Sequence, residues 1–367
     1  MTLGGITHSS WSPRMSLLLC VMMIGFTGSE PAFQTILDRG LPELPTGVRV
    51  VWEIEQHAGV TPDELMELRR RIAGRPDHPD RPKAEVATRR LNSGPDRLRR
   101  EAWIDRAGRF RLSETPAKGG WNDVVVADGV VWALTADSLN IVDGSREPPP
   151  GRNFAATRDD ARRHIGGFMM GGLSMIIGAP RATAASFRRS GREWTASAFL
   201  PDNIGSFWFR GTEVDHNILV TEGRVERLAP APAEVGARVK ASDLWPDSPL
   251  GPVFRVIEGY RPSGVLDSRS RLIEAEVWSS EPAMFAVPDR ARPRDAVRGE
   301  LALLHVADFR DDRSGRFWQR GSADEAFEKG PPPPNDPSRT IWSLNRSGYL
   351  ILIGVGVLIA GVWLRRR

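Results

Sequence analysis

Apolar and polar residues alternate in short runs along most of this chain. Val48 to Gln56 (VRVVWEIEQ) puts Val48, Val50, Trp52 and Ile54 on one side and Arg49, Glu53 and Glu55 on the other, the period-two pattern of a half-buried strand. The period then lengthens. Thr61-Pro62-Asp63-Glu64 is a capping box with proline at the first helical position, followed by an apolar stripe of Leu65, Leu68 and Ile72. Arg69, Arg70 and Arg71 complement the dipole before Gly74 ends this predicted helix. Asp77 to Pro82 reads as a loop, and from Ala84 onward the pattern is antiparallel β. Arg97 to Asp105 carries Leu98, Ala102 and Ile104 opposite Arg97, Arg99, Glu101 and Trp103. Val124–Ala127 and Val130–Thr135 flank Asp128-Gly129, a two-residue hairpin signal. Further strands are predicted at Leu139–Val142, Glu193–Leu200, Phe207–Arg210, Ile218–Thr221, Arg224–Leu228, Val253–Glu258 and Ser270–Trp278. Pro31 to Gly47 is rich in turn formers, Pro230 to Ala241 reads as a connector, and Arg298 to Phe309 fits a strand or a helix.

Both ends of the chain break this pattern. Gly348 to Leu364 is seventeen residues without a charge, and Arg365-Arg366-Arg367 follow. At about 1.5 Å per residue, that run with its flanks crosses a hydrocarbon core of roughly 30 Å. The arginines place the C-terminus in the cytoplasm by the positive-inside rule. At the other end, Met15 to Phe26 is apolar, preceded by Arg14 and followed by Thr27-Gly28-Ser29, the pattern of a secretory signal peptide; an uncleaved anchor is the alternative. The layout expected is a signal peptide (1–29), an extracytoplasmic β-domain (30–310), a charged and Pro-rich stalk (311–347), a transmembrane helix (348–364) and a cytoplasmic tail (365–367). The protein is thus expected in the cell membrane as a single-pass protein, with its bulk in the periplasm.

Composition narrows the chemistry. The sole cysteine, Cys20, lies in the leader, and Leu18-Leu19 before it lacks the small residue of a lipidation site, so the mature chain has no thiol for disulfide, catalysis or metal. The chain has 50 basic and 46 acidic residues, and setting aside Arg14 and the terminal arginines leaves 46 against 46. The exported part is formally neutral, which argues against nucleic acid as a partner. His57, His78, His164, His216 and His305 have no ligand-spaced neighbours. Asp308, Asp311 and Asp312 lack the spacing of a calcium loop, and Gly172-Leu173-Ser174-Met175-Ile176 lacks the last glycine of a nucleophile elbow. No cofactor and no enzymatic activity are expected.

Ile165 to Ala179 (IGGFMMGGLSMIIGA) is uncharged, too short and too glycine-broken to span a bilayer. It reads either as a buried core segment or as an adaptable apolar lid, since methionine and glycine make compliant surfaces.

Trp103-Ile104-Asp105-Arg106-Ala107-Gly108-Arg109-Phe110 carries a Trp-x-x-Arg-x-x-x-Phe pattern. With Val124 to Trp132 around Asp128-Gly129, and the Gly/Met stretch after it, residues 103–179 resemble the LolA-like lipoprotein carriers of the periplasm in order and spacing. The resemblance implies a mainly β (α+β) fold, an open, curved antiparallel half-barrel with helices at its mouth, binding acyl chains non-covalently in its apolar concave face. Trp103, Phe110 and Trp132 from the strands would line that face, with Phe168, Met169, Met170, Met175 and Ile176 from the Gly/Met stretch. Arg106 corresponds to an arginine that holds the lid. The family opens with a long helix, where this chain has Pro31 to Gly47. The expected partners are a lipid or acylated protein, the membrane, and an envelope protein. A structural or sensory ectodomain with a self-filled interior is the alternative.

Overall fold

The structure, a computed structural model, describes residues 30–39, 42–43, 45–144, 155–176, 182–201, 204–214, 217–228, 234–279, 281–290, 293–311 and 315–330. The leader, residues 177–179 of the Gly/Met stretch, the proline run, the expected span (348–364) and its arginine tail lie outside these. Among the described residues no helix is long and apolar enough to cross a membrane.

Helix α1 (Glu30–Arg39) precedes β1 (Val48–Gln56), which is followed by α2 (Pro62–Ile72) and α3 (Arg81–Ser93). A first meander follows: β2 (Asp96–Ile104), β3 (Phe110–Pro116), β4 (Asn122–Ala127), β5 (Val130–Thr135) and β6 (Ser138–Asp143). Helix α4 (Ala155–Met170) runs into a 3-10 helix, η1 (Gly171–Ile176). The second meander is β7 (Thr183–Ser190), β8 (Glu193–Phe199), β9 (Gly205–Val214), β10 (Asn217–Leu228), β11 (Arg238–Trp245), β12 (Val253–Tyr260) and β13 (Leu266–Val277). A strap then carries the short helix η2 (Pro282–Phe285) and the hairpin of β14 (Arg294–Asp295) and β15 (Gly299–Glu300). The chain ends its described part in β16 (His305–Asp308), β17 (Arg316–Gln319) and β18 (Glu328–Lys329).

Sixteen of these strands form one curved, open sheet in the order β18-β17-β16-β6-β5-β4-β3-β2-β1-β13-β12-β11-β10-β9-β8-β7. β1 is the seam between the meanders: Val48 lies opposite Ile104 of β2 and Val277 of β13. β16 runs parallel to β6, whereas the other described pairs in this sheet are antiparallel. The Asp128-Gly129 turn forms as its sequence demands, with φ of 49° and 77°. At the far end, Gln34 of α1 donates to the Ala182 carbonyl (3.3 Å) and accepts from the Ala184 N–H (2.7 Å), so a side chain takes the place of a neighbouring strand along β7.

The capped helix α2 forms with both capping-box bonds, Glu64 N–H to Thr61 Oγ1 (3.1 Å) and Thr61 N–H to Glu64 Oε2 (2.7 Å). Several expectations are corrected. Residues 30–39 are helical because Phe33, Ile36 and Leu37 make one apolar face, and Phe33 is fully buried against Trp194 and Phe209. Residues 81–93 are helix rather than loop and strand. Pro82 sits in the first turn, where its missing N–H costs nothing, and Ala84 and Ala87 pack on Leu65, Leu68 and Ile72. The runs at Ile218–Thr221 and Arg224–Leu228 form one strand, β10. β7 and β11 fall where no strand, or only a connector, was expected. Of the two readings left open for residues 298–309, His305–Asp308 takes the strand. Arg316–Gln319 and Glu328–Lys329 extend the sheet, so this part of the expected stalk belongs to the fold.

Candidate functional site

The site is built where α4 lies on the sheet. On that inner face β1 contributes Val48, Val50, Trp52 and Ile54, β2 contributes Ala102 and Ile104, and β3 contributes Phe110 and Leu112. Ala161, Ile165 and Phe168 of α4 descend onto them, and Phe110 and Phe168 are fully buried. Beyond α4, η1 lays Leu173, Met175 and Ile176 over Trp194, Phe207, Phe209 and Val220 of the second meander. Ile257 packs against both clusters, which makes the apolar interior continuous beneath α4 and η1.

A polar cluster fastens α4 to this face. Arg100 of β2 points inward among Leu98, Ala102 and Ile104 and is 5% exposed. Its Nη1 donates to Asp160 of α4 at 2.9 Å, and its Nη2 donates to Glu114 of β3 at 2.5 Å. Asn122 donates to the other Glu114 oxygen at 3.4 Å. One turn along α4, His164 stacks on the Trp52 indole with ring centroids 6.2 Å apart. Its Nδ1 lies 3.0 Å from the Asp160 carbonyl oxygen and 3.3 Å from Arg100 Nη1. A protonated Nδ1 donates to that carbonyl, and a bare one accepts from the guanidinium. Burial pushes the His164 pKa below its usual value; the Asp160 carboxylate opposes this and the Arg100 cation adds to it.

A second buried cluster occupies the outer face. Arg111 is fully buried and donates to both Asp295 oxygens (2.8 and 2.9 Å), to the Met284 carbonyl (3.0 Å) and to Asp123. Arg298 also reaches Asp123 (2.7 Å) and Ser113. Burial alone would raise the Asp295 carboxyl, but hydrogen bonds from Arg111 and from the Val297 and Arg298 N–H groups hold it below the ordinary carboxylate range. Trp103 and Trp132 flank the Arg111 guanidinium at 5.9 and 5.6 Å, and the Trp132 indole N–H donates to the Phe285 carbonyl (3.3 Å). The strap from β13 to β16 is thereby pinned to β3, β4 and β5.

The residues expected to line one cavity are therefore divided. Phe110, Phe168 and Met169 meet on the inner face beneath α4. Met170, Met175 and Ile176 belong to the cluster over β8 to β11. Trp103 and Trp132 lie on the opposite face of the sheet with the strap. Alternation in a strand forbids Trp103 from sharing a cavity with Ala102 and Ile104. Arg106 is exposed in the β2–β3 turn beside Gly47, and the strand arginine that bonds α4 is Arg100.

Sequence reasoning passed over Arg100, Glu114 and Asp160, and weighed His164 only as a metal ligand. The available signal was a charge at an inward position of β2, and an acid and a histidine spaced four apart before the Gly/Met stretch. Among the described residues no group of three or more His, Cys, Asp or Glu side chains is set to hold a metal ion.

No protein-family model and no curated protein matches this sequence. Similar solved structures include a DUF1329 family protein from Desulfovibrio piger, with TM-score 0.33 and 7% identity over 70% of this chain and 93% of that one. A putative outer membrane lipoprotein-sorting protein domain from Vibrio parahaemolyticus gives TM-score 0.29 and 3% identity over 64% of this chain and 86% of that one. MucB gives 0.24 and 9% over 77% and 67%. The lipoprotein-sorting likeness read from residues 103–179 thus recurs among the structural neighbours. Identity and superposition are both low, so the function of the site rests on its own geometry.

Proposed function

We propose that this chain is a membrane-anchored, extracytoplasmic, non-catalytic domain that binds an acyl chain, of a lipid or a lipidated protein, between α4 and the inner face of the sheet. One observation carries the reading: the apolar face of β1 to β3 is covered by a separate helix, and that helix is fastened by the ion pair of buried Arg100 with half-buried Asp160. Swinging α4 away would uncover Val50, Trp52, Phe110 and Leu112. An acyl chain could then replace Ile165 and Phe168, at about 0.8 kcal/mol for each methylene buried. The leader and the uncharged C-terminal run support placement in the cell membrane, with the domain on the periplasmic side and an envelope protein as donor or acceptor.

A second reading, a structural or sensory ectodomain acting through a protein partner, is favoured by one contact. The backbone of η1 rests directly on β10, so a Cβ on Gly172 would stand 2.5 Å from the Glu222 carbonyl carbon. That part of the interior is filled, and an acyl chain would have to enter under α4 instead.

The two readings part on a photocrosslinking experiment. The full chain is reconstituted in vesicles containing a diazirine fatty acid, irradiated and mapped by peptide mass spectrometry. Acyl binding predicts label in Ala155–Met170 and in β1 to β3, increased severalfold by Asp160→Asn, which loosens the fastening. Label confined to residues 348–364 in both proteins would leave the structural reading standing.

A further inference from the structure

Strand β7 ends the sheet, and α1 covers only the start of its free side. There Gln34 meets the Ala182 carbonyl and the Ala184 N–H, and the register then shifts at Ala185. Beyond that bulge, Ser186 to Ser190 pair with β8 on one side alone among the described residues. We propose that this edge takes up an extended, acidic segment of a protein partner as a further strand.

The backbone supplies the affinity. Ser190 lies opposite Glu193 across the turn of Gly191 and Arg192, the hydrogen-bonded pair that closes a two-residue hairpin. Alternation along the ladder therefore turns the N–H and C=O groups of Phe187 and Arg189 away from β8. An added strand would satisfy these groups, and main-chain bonds of this kind hold extended peptides on sheet edges. About five residues, roughly 17 Å of extended chain, match the uncovered length.

The side chains select the occupant. Arg188, Arg189 and Arg192 are all exposed at this edge. Arg189 is engaged by Glu213 at 2.8 Å, and the neighbouring acid Glu193 is taken by Arg210 at 2.9 Å. Arg188 and Arg192 make no ion pair among the described residues. A second copy is disfavoured here, because pairing two β7 edges brings each cluster of arginines against its own counterpart, and like charges opposite one another weaken a ladder. The same cations favour a strand that carries carboxylates. The edge is separate from the groove under α4, so the inference does not rest on acyl binding.

The test is fluorescence anisotropy of a labelled synthetic peptide of alternating glutamate and valine, titrated with the full chain in an uncharged detergent at low salt. Binding is expected. The same peptide with N-methylated amides keeps its charge but cannot join a ladder, and should bind about tenfold more weakly or not at all. A peptide of alternating lysine and valine should not bind. Arg188→Glu combined with Arg192→Glu, both at exposed positions, should weaken the glutamate peptide about tenfold and admit the lysine peptide. Unfolding would not produce that exchange of preference, which keeps the result decisive. Absence of binding, equal binding of the N-methylated peptide, or an unchanged preference in the double variant would overturn the proposal. A dimer of the full chain that the glutamate peptide does not displace would overturn it too, and would assign the edge to a second copy.

Discussion

Arg100 occupies a position in β2 that the alternation of Leu98, Ala102 and Ile104 reserves for an apolar side chain. Its burial is tolerable because Glu114 and Asp160 both bond it; removing either carboxylate leaves a one-to-one ion pair, whereas removing Arg100 leaves two carboxylates without their cation. His164 adds a pH dependence to the same contact. Its pKa is depressed by burial, so between the folded value and about 6.5 the undocked imidazole binds more protons than the buried one. The packing of α4 on the sheet is therefore expected to be strongest above about pH 6.5 and to weaken as pH falls through that window. Arg100, Asp160, Glu114 and the Trp52 ring are the groups that face it. Hydrogen exchange of α4 is expected to accelerate between about pH 7 and 5 relative to the sheet, and His164→Gln should flatten that profile. Equal profiles in the two proteins would exclude the imidazole as the cause. Periodicity made Phe110 legible as a core residue. It could not reveal that Trp103, assigned to the charged face of β2, is buried too, because the strap that covers it returns from about 180 residues later, beyond the reach of local pattern.

At the scale of elements, the described part of the Gly/Met stretch falls in two elements with different mechanics, its residues 165–170 closing α4 and its residues 171–176 forming η1. Residues 155–170 form a helix fastened by side chains, while 171–176 form a 3-10 turn seated backbone to backbone on β10. Any side chain at position 172 meets the main chain of Glu222 and Gly223 at 2.5 to 2.9 Å, contacts that no rotamer relieves. Gly172→Val is expected to cost about 1–3 kcal/mol by overpacking and to lower the melting temperature, whereas Asp160→Asn should act on α4 alone. A Gly172→Val protein that melts like the parent would mean that η1 lifts freely. The sequence made α2 plain, because its capping box and apolar stripe agree. It hid α3, whose buried face holds the small Ala84 and Ala87 with Arg90, and α1, whose few apolar residues sit among turn formers. In both cases helix is selected by what the segment packs against, which propensity alone does not report.

At the scale of the whole molecule, two antiparallel meanders share one seam strand. Neighbours in sequence are neighbours in the sheet within each meander, which is why hairpins such as that at Asp128-Gly129 were readable. The pairing of β1 with β13 and the parallel pairing of β16 with β6 join residues far apart in the chain, and no short-range signal encodes them. An open sheet also has two ends, and here they differ. At β18 the last strand is two residues long, too short to recruit a neighbour firmly. At β7 the strand is eight residues long, and Gln34 occupies part of its hydrogen-bonding edge. One amide side chain is therefore expected to hinder edge-to-edge pairing of two copies. Gln34→Ala should leave the domain folded while light scattering from a concentrated sample rises with time, and unchanged scattering would mean that the rest of α1 shields the edge unaided. The amide that docks the first described helix also occupies backbone groups that the strand of a second copy would need.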